Sequence, residues 1–341
     1  METVAIGETG RRTTRLGFGC SSVMGSLGRR QSLRMLESAF DAGIRHFDVA
    51  PMYGYGQAEG CLGEFLKSHP SDTTVTTKYG IVAPRKAALA GLARGLARPL
   101  IKSLPGTKKR LAQAAALVAG RSQRAPYTAA HARASLERSL TALKRDHIDI
   151  WLLHEVEAAD LQGAEADGLV RTLEEAVTSG KVGRFGVASG SDKIPALTAA
   201  HPDLCRTLQY EWSVLDPVPA QSAALRIHHR ALTDRFRVLH QAIVSRPTIA
   251  DRWSAEVGVH VGTLDNLARL MLKAALLANP QSIILFSSKS PGHVAANARL
   301  VDDSALDHAA RAFYRLVQAE GAALLNLGRF AAVGAPESGG A

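Results

Sequence analysis

The chain has 341 residues, of which 46% are hydrophobic, and this is enough for one large α/β core or for two smaller domains. Its 41 lysines and arginines outnumber its 31 aspartates and glutamates by ten, but the excess is local, because residues 84–126 contain ten basic residues and no acidic one. A charge confined to one segment does not form the broad basic face of a nucleic-acid-binding protein, so no nucleic-acid partner is predicted.

Strand-like and helix-like patterns alternate along the chain after a short N-terminal segment. That segment, TVAIGETGRRTTRL (residues 3–16), is predicted to form a β-hairpin that closes the bottom of the fold. Predicted strands then cover residues 15–20, 44–50, 73–80, 147–156, 183–189, 206–215, 225–232 and 282–288. Predicted helices cover residues 32–43, 58–69, 129–145, 168–180, 194–202, 263–279, 292–301 and 306–325, with Thr128 opening the third of them.

Eight strand–helix units in succession predict parallel strands joined by right-handed crossovers. Eight such units close into a (β/α)8 TIM barrel, whose active site lies at the C-terminal ends of the strands. The alternative is a doubly wound sheet, which would need the pattern GxGxxG after its first strand. The stretch GFGCSS lacks the third glycine, and GYGQAEG follows the second strand with the wrong spacing. The barrel is therefore the predicted fold.

We expect residues 1–330 to form a single barrel domain, with residues 84–126 as a basic inserted segment after the third strand and 331–341 as a flexible tail. The inserted segment follows a strand end, so it leaves the barrel at the predicted active-site rim. Three interpretations stay open: a lid over an acidic or phosphorylated substrate, a surface for a partner or a membrane, and a solvated excursion.

Four polar residues follow the ends of adjacent predicted strands. Asp48 ends the second strand with Tyr53 just beyond it, Lys78 ends the third and His154 ends the fourth. A lysine near a tyrosine lowers the phenol pKa, an aspartate holds the lysine, and a histidine can orient a carbonyl. Each residue alone could be a cap, rim packing or a core histidine. Their joint placement predicts a site that donates a proton to a carbonyl oxygen.

The segments FDVAPMYGYGQAEGCLGEFL, TTKYG and WLLHEV resemble the signature segments of the aldo-keto reductases. The resemblance implies that Asp48, Tyr53, Lys78 and His154 form the family's catalytic tetrad, with the tyrosine as proton donor. It also implies that hydride comes from a nicotinamide dinucleotide bound without a Rossmann fold. The match extends from Leu16 to about Val301, apart from the inserted segment and a weakly matched stretch at 216–262.

The same resemblance implies a set of cofactor-binding residues. Gln209 would hold the carboxamide and Trp212 would stack on the nicotinamide, whereas Ser189 stands where the family has Ser-Asn. The adenosine phosphates would contact Ser287, Ser288, Lys289, His293 and Asn297. Because Lys289 could meet a 2′-phosphate, NADP(H) is favoured, and NAD(H) remains an alternative.

The predicted function is that of an NADPH-dependent oxidoreductase that acts on a small carbonyl or alcohol substrate. The positive charge of the basic segment is compatible with an anionic substrate. Two alternatives are a nicotinamide-binding regulatory module without turnover and a Schiff-base lyase that uses Lys78. No oligomeric state is indicated.

The remaining polar residues predict no metal site. His228 and His229 are adjacent on one strand and so point to opposite faces, and no third ligand has suitable spacing, whereas Arg230 could contact substrate or phosphate. The three cysteines are too widely spaced for a disulfide framework, so a reducing, cytoplasmic setting is expected. No apolar run is long enough for a membrane span, and the N-terminus lacks a signal-peptide core.

Overall fold

Eight parallel strands close into a barrel, with each strand hydrogen-bonded to the next around the circle. In chain order the strands of the described residues are β1 (Thr3–Ala5), β2 (Arg12–Thr14), β3 (Leu16–Gly19), β4 (His46–Asp48), β5 (Thr74–Tyr79), β6 (Ile81–Val82), β7 (Gln123–Arg124), β8 (Ile148–His154), β9 (Val182–Ala188), β10 (Thr207–Glu211), β11 (Leu225–His229) and β12 (Ser282–Phe286). Around the barrel their order is β10-β11-β12-β3-β4-β5-β8-β9. The eight predicted barrel strands and the (β/α)8 fold are therefore confirmed.

The computed structural model describes residues 1–69, 73–83, 123–217, 224–232 and 234–333. Its helices are α1 (Arg29–Asp41), α2 (Ala58–Leu66), α3 (Ala129–Leu143), α4 (Gly163–Thr178), α5 (Ile194–Ala200), α6 (Asp234–Val244), α7 (Pro247–Val257), α8 (Leu264–Ala278), α9 (Pro291–Asp302) and α10 (Asp307–Val333). Most of the basic inserted segment and residues 334–341 of the predicted tail lie outside these ranges, whereas α10 continues past residue 330 to Val333.

The N-terminal hairpin closes the bottom of the barrel, as expected. Strands β1 and β2 pair antiparallel, with Val4 opposite Thr13. The side chains of Val4 and Ile6 are buried in the same interior cluster as residues from the barrel strands, including Leu225 and Ile283. Burying two aliphatic side chains there fills the narrow end of the barrel and keeps water out of its interior.

The alternation of side chains along β8 carries His154 to the top of the barrel. Ile150 and Leu152 point into the interior cluster, whereas Trp151 and Leu153 pack outward against the helices. Because side chains alternate with a period of two residues, His154 continues the inward face at the C-terminal end of the strand. The pattern that fills the core therefore also delivers a polar residue to the rim.

Two helices, α6 and α7, lie in the stretch 216–262, for which no helix was predicted. The sequence does contain local signals: Pro247 occupies the first turn of α7, and Gly258 ends it in a left-handed conformation. Trp253 of α7 is fully buried and packs edge-on against Phe313 of α10. Packing against α10 thus holds a helix that a weak local pattern did not reveal.

Helix α2 contacts α3 at a backbone-to-backbone distance that only glycine allows. A Cβ atom on Gly63 would lie 2.3 Å from the carbonyl oxygen of Ala142 and 2.8 Å from the Cα atom of Leu143. Gly60, one turn earlier on the same helix, has nothing within 4 Å of the equivalent position. These two glycines form a matched pair, because they share a helix but differ in packing.

We predict that Gly63→Ala lowers the free energy of unfolding by about 1–3 kcal/mol, because the added methyl group pushes α2 away from α3. Gly60→Ala should instead raise it by about 0.5–1 kcal/mol, because alanine favours the helix and meets no neighbour. Urea denaturation of both variants measures the difference. Equal effects of the two substitutions would contradict the close helix contact.

Candidate active site

The structure brings Asp48, Tyr53, Lys78 and His154 together at one end of the barrel. Asp48 ends β4, Lys78 lies near the end of β5, and His154 ends β8, and these three strands are consecutive neighbours in the barrel. Tyr53 lies in a 3-10 turn just after β4, where Gly54 adopts a left-handed φ of 59°. A Cβ atom on Gly54 would lie 2.4 Å from the carbonyl oxygen of Val23, so this turn is packed tightly against the preceding loop.

Lys78 and Asp48 form an ion pair inside the barrel. The Lys78 Nζ atom donates to the two Asp48 carboxylate oxygens at 2.7 and 2.9 Å and to the carbonyl oxygen of Val49 at 3.0 Å. Gln209 donates its Nε2 hydrogen to Asp48 Oδ2 at 2.8 Å. Burial alone would lower the pKa of Lys78, but the charge of Asp48, with a smaller contribution from Tyr53, raises it above 10.5, so the ammonium stays charged.

Tyr53 presents a protonated hydroxyl to this pair. Its ring lies 5.4 Å from the Lys78 Nζ atom, and its hydroxyl makes no hydrogen bond within the described residues. Lys78 is the largest single influence and lowers the pKa of Tyr53, as expected from the sequence. Burial and the charge of Asp48 together outweigh it, so the pKa of Tyr53 is raised rather than lowered. The lowered pKa that the sequence predicted for the Tyr53 phenol is therefore wrong for the protein without a ligand. The Tyr53 hydroxyl keeps its proton at neutral pH.

His154 is a neutral imidazole beside the tyrosine. Burial, with the nearby charge of Lys78, lowers the pKa of His154 to about 3. Its ring stands edge-on to Tyr53 at 6.4 Å between centroids, and its Nδ1 atom has no hydrogen-bond partner among the described residues. A neutral histidine can donate one hydrogen bond to a carbonyl oxygen without competing for the proton that Tyr53 holds.

These four residues line a cavity of about 450 Å³ at the C-terminal end of the barrel. Of the predicted cofactor residues, Ser189, Gln209, Ser287 and Asn297 also line it. Gln209 is buried, and its Oε1 atom has no partner among the described residues, so it can accept a hydrogen bond from a ligand. The hydroxyl of Ser189 donates to the carbonyl oxygen of Val156 at 2.7 Å, so toward the cavity it can only accept.

The other predicted cofactor residues lie outside the cavity. Ser288, Lys289 and His293 surround the first turn of α9, with Lys289 and His293 exposed. Trp212 is not among the cavity-lining residues either: its ring packs 5.5 Å from that of His228, and its Nε1 atom donates to the carbonyl oxygen of Pro217 at 2.9 Å. The structure therefore packs Trp212 against His228 and does not bring it to the cavity lining.

The cavity is also lined by residues that were not among the predicted site residues, and these include Glu155, His229 and Leu232. The alternation of β11 indicated that one of its two histidines faces the barrel, and it is His229 that reaches the cavity, with a pKa lowered to about 4 by burial. Arg230 also lines the cavity and pairs with Glu211 at 3.0 Å. Glu155 carried a signal as well, because it directly follows the strand that ends in His154.

The described residues offer no set of ligands for a metal ion at this site. Across the residues that the structure describes, no three histidine, cysteine, aspartate or glutamate side chains are placed to hold a metal ion. The helices of this same part of the chain include none with the length and apolarity that a membrane crossing requires.

We predict that Lys78→Met lowers the free energy of unfolding by about 3–5 kcal/mol, because it leaves the Asp48 carboxylate buried with Gln209 as its remaining partner. The double variant Asp48→Asn/Lys78→Met should be less destabilised, because no charge remains in the barrel. In the parent protein the pKa of Lys78 is raised above 10.5, so its stabilising contribution is complete below that pH and declines only as the pH rises through the folded-state value. Denaturation from pH 7 upward measures this, and a decline already at neutral pH would contradict it.

Known proteins share both the fold and the sequence signature of this chain. The model of the aldo/keto reductase family matches residues 15–224. The chain is 34% identical to a D-threo-aldose 1-dehydrogenase from a Pseudomonas species over 191 residues, which are 54% of this chain and 52% of the relative. It is 28% identical over 196 residues to an NADH-specific methylglyoxal reductase of Escherichia coli, covering 55% of this chain and 52% of that one.

Solved structures match over more of the chain. A glycerol dehydrogenase from Gluconobacter oxydans aligns with 93% of this chain and 95% of its own at a TM-score of 0.65 and 19% identity. An aldo-keto reductase from Klebsiella pneumoniae in complex with NADPH aligns with 92% and 96% at a TM-score of 0.57 and 18% identity. These two establish the fold alone, and the chain spans about half the length of the two curated relatives above. With the family model matching most of its barrel, the chain belongs to the aldo/keto reductase family.

Proposed function

We propose that the protein is an NADP(H)-dependent oxidoreductase that interconverts a carbonyl compound and the corresponding alcohol. The observation that carries this proposal is the free, protonated hydroxyl of Tyr53, which faces a cavity beside a charged lysine and a neutral histidine. Membership of a family whose named relatives are reductases and dehydrogenases supports it.

In the reducing direction Tyr53 is the general acid. The hydride that reaches the carbonyl carbon in this direction would come from a nicotinamide dinucleotide in the cavity, and in the other direction it would return to the cofactor. As the carbonyl oxygen gains electron density, the Tyr53 O–H bond breaks and its proton moves to that oxygen. The phenolate that remains is stabilised by the Lys78 ammonium, which Asp48 keeps charged. In the oxidising direction the same phenolate removes the proton from the alcohol.

His154 orients the reacting oxygen. Its pKa of about 3 keeps the imidazole neutral across the physiological range. A neutral ring can donate one hydrogen bond to the carbonyl oxygen and so hold it near the Tyr53 hydroxyl. An imidazolium at this position would instead add a second positive charge beside Lys78, which the pKa shift indicates is unfavourable.

The cavity has features that fit a nicotinamide. The unpartnered Gln209 Oε1 atom can accept a hydrogen bond from the carboxamide NH2 group, and the Ser189 oxygen can accept another. Trp212 packs away from the cavity, whereas the flat ring of His229 lines it. We propose that His229, and not Trp212, packs against the nicotinamide ring.

The first turn of α9 is the proposed site for the adenosine phosphate. Helix N-termini attract anions through their free N–H groups and the helix dipole. Lys289 and His293 are exposed there, and Ser288 accepts a hydrogen bond from the backbone of Ser290 at 3.1 Å. A lysine beside these donors favours the 2′-phosphate of NADP(H), and NAD(H) remains the alternative because the Escherichia coli relative is NADH-specific.

A Schiff-base lyase is disfavoured, because a lysine nucleophile must lose its proton. The pKa of Lys78 is raised, and its Nζ atom is held by two carboxylate oxygens and a carbonyl oxygen. A regulatory module without turnover would use the same cavity, and cofactor oxidation in the presence of aldehydes separates it from an enzyme. The three cysteines are free and buried, and on this ground we propose a reducing, cytoplasmic setting.

We predict that Tyr53→Phe lowers the rate of carbonyl reduction by roughly 10²–10⁴-fold, the usual contribution of general acid catalysis, because the ring stays in place but the proton is lost. The dissociation constant of NADPH, measured by protein fluorescence, should change little. Tyr314→Phe removes a hydroxyl on α10, far along the chain from the tetrad, and serves as the control. Unchanged turnover of the Tyr53 variant would refute the assignment.

We also predict that Lys289→Met weakens NADPH binding by about tenfold while NADH binding changes much less, because only NADPH carries the 2′-phosphate. Arg299→Met removes an exposed cation from the last turn of the same helix and should affect neither cofactor. Titration of each variant with both cofactors measures the difference. Equal weakening of the two would place the phosphate elsewhere.

A further inference from the structure

Glu155 is a charged cavity residue that the proposed mechanism does not use. It directly follows His154, its side chain is exposed, and it lines the cavity that contains Tyr53. Its carboxylate makes no hydrogen bond and no ion pair in the part of the chain that the structure describes. Its negative charge nevertheless contributes to raising the pKa of Tyr53, so the two groups are close enough to interact.

The backbone holds Glu155 in a conformation that is unfavourable for a residue with a Cβ atom. Its φ is +58°, in the left-handed region that glycine normally occupies. Its N–H donates to the carbonyl oxygen of Ala188 at 2.6 Å, and its own carbonyl oxygen accepts from Arg124 Nη2 at 2.7 Å. A strained backbone conformation persists only where the surrounding structure holds it, and such residues concentrate at functional sites.

A short stalk of residues 123–127 supplies this restraint. Strand β7 of the stalk pairs antiparallel with β6, and this pairing joins the two ends of the inserted segment. Tyr127 is buried and donates its hydroxyl to the carbonyl oxygen of His154, while Arg124 binds the next carbonyl and the Asp160 carboxylate. The last residues of the predicted insertion therefore anchor the loop that carries Glu155.

The neighbouring cations are already paired. Lys193 binds Glu157 at 2.6 Å, and Arg124 binds Asp160, so neither neutralises Glu155 by direct contact. Arg230 lines the same cavity and pairs with Glu211. Glu155 thus offers two unoccupied acceptor oxygens to whatever binds next to Tyr53 and His154.

We propose that Glu155 determines substrate specificity by accepting hydrogen bonds from hydroxyl groups that the substrate carries next to its carbonyl. The inference rests on the proposed function and deepens it, because it names the substrate class as hydroxylated carbonyl compounds. A carboxylate only accepts hydrogen bonds when ionised and repels other anions. An anionic substrate, which the basic segment suggested, is therefore disfavoured at this position.

The test compares three small aldehydes that differ in polarity and charge. With NADPH as cofactor, kcat/KM is measured for glyceraldehyde, for propanal, which has three carbons and no hydroxyl group, and for the anionic succinic semialdehyde. Glu155→Gln should lower the ratio of glyceraldehyde to propanal by about 10-fold or more, mainly through KM, because a hydrogen bond to a charged group is lost. Activity on succinic semialdehyde should rise. Glu165→Gln removes an exposed carboxylate from the first turn of α4 that does not line the cavity, and it should leave the ratio unchanged.

A second variant separates recognition from a purely structural role. Glu155→Gly removes the carboxylate but relieves the left-handed strain, so the thermal midpoint should stay the same or rise while the substrate ratio falls as in Glu155→Gln. The proposal would be overturned if Glu155→Gly had a lower thermal midpoint and lost kcat/KM equally for all three aldehydes. Arg124→Met keeps the Glu155 carboxylate but removes the hydrogen bond that holds the Glu155 carbonyl group. It should lower the glyceraldehyde-to-propanal ratio, but by less than Glu155→Gln does.

Two further outcomes count against the proposal. If Glu155→Gln weakens NADPH binding and leaves the substrate ratio intact, the carboxylate binds a cofactor ribose hydroxyl instead of the substrate. If the parent protein reduces none of the three aldehydes, the proposed oxidoreductase function fails, and the specificity role fails with it. Normal reduction of propanal together with an unchanged ratio in Glu155→Gln would overturn the specificity role alone.

Discussion

The ion pair between Lys78 and Asp48 is the interaction on which the site depends. Both residues are almost fully buried inside the barrel, where an unpaired charge would cost several kcal/mol. The pair is tolerated because Nζ reaches both carboxylate oxygens and the Val49 carbonyl, while Gln209 donates to the far side of Asp48. Removing any one of these partners leaves a buried polar group unsatisfied. The arrangement is therefore fixed before any ligand binds.

Burial and the buried ion pair together set the protonation of the groups around Lys78. The histidines at the rim stay neutral, with a pKa of about 3 for His154 and about 4 for His229, both lowered mainly by burial. Tyr53 stays protonated, because burial and Asp48 outweigh the influence of the lysine. The site thus combines one permanent cation with neutral hydrogen-bond donors, which suits proton transfer to a carbonyl oxygen near neutral pH. Without Asp48, burial would lower the pKa of Lys78 and this division of roles would be lost.

The strained residues of the rim share a structural setting. Glu155 and Arg230 each follow a histidine at the end of a barrel strand, and both have a left-handed backbone, with φ values of 58° and 61°. Each strand end thus turns sharply and directs its next side chain into the cavity. For Glu155 the stalk explains how the turn is held, because Arg124 and Tyr127 bind consecutive carbonyl groups after the β8 ladder ends. The stalk therefore links the end of the inserted segment to the backbone of His154 and Glu155 by one hydrogen bond each.

The sequence by itself determined the barrel and the place of three of the four candidate site residues. Eight repeated units leave few topologies, and a residue at a strand end must lie at the rim, so Asp48, Lys78 and His154 could be placed from local patterns alone. Trp212 and Glu155 could not be placed in this way. Both lie just past a strand end, where alternation no longer decides which way a side chain points, and only packing directed Trp212 toward His228 and Glu155 toward the cavity. The pKa of Tyr53 likewise required the tertiary structure, because it is a balance of a lysine, an aspartate and burial, and burial is not encoded by spacing in the sequence.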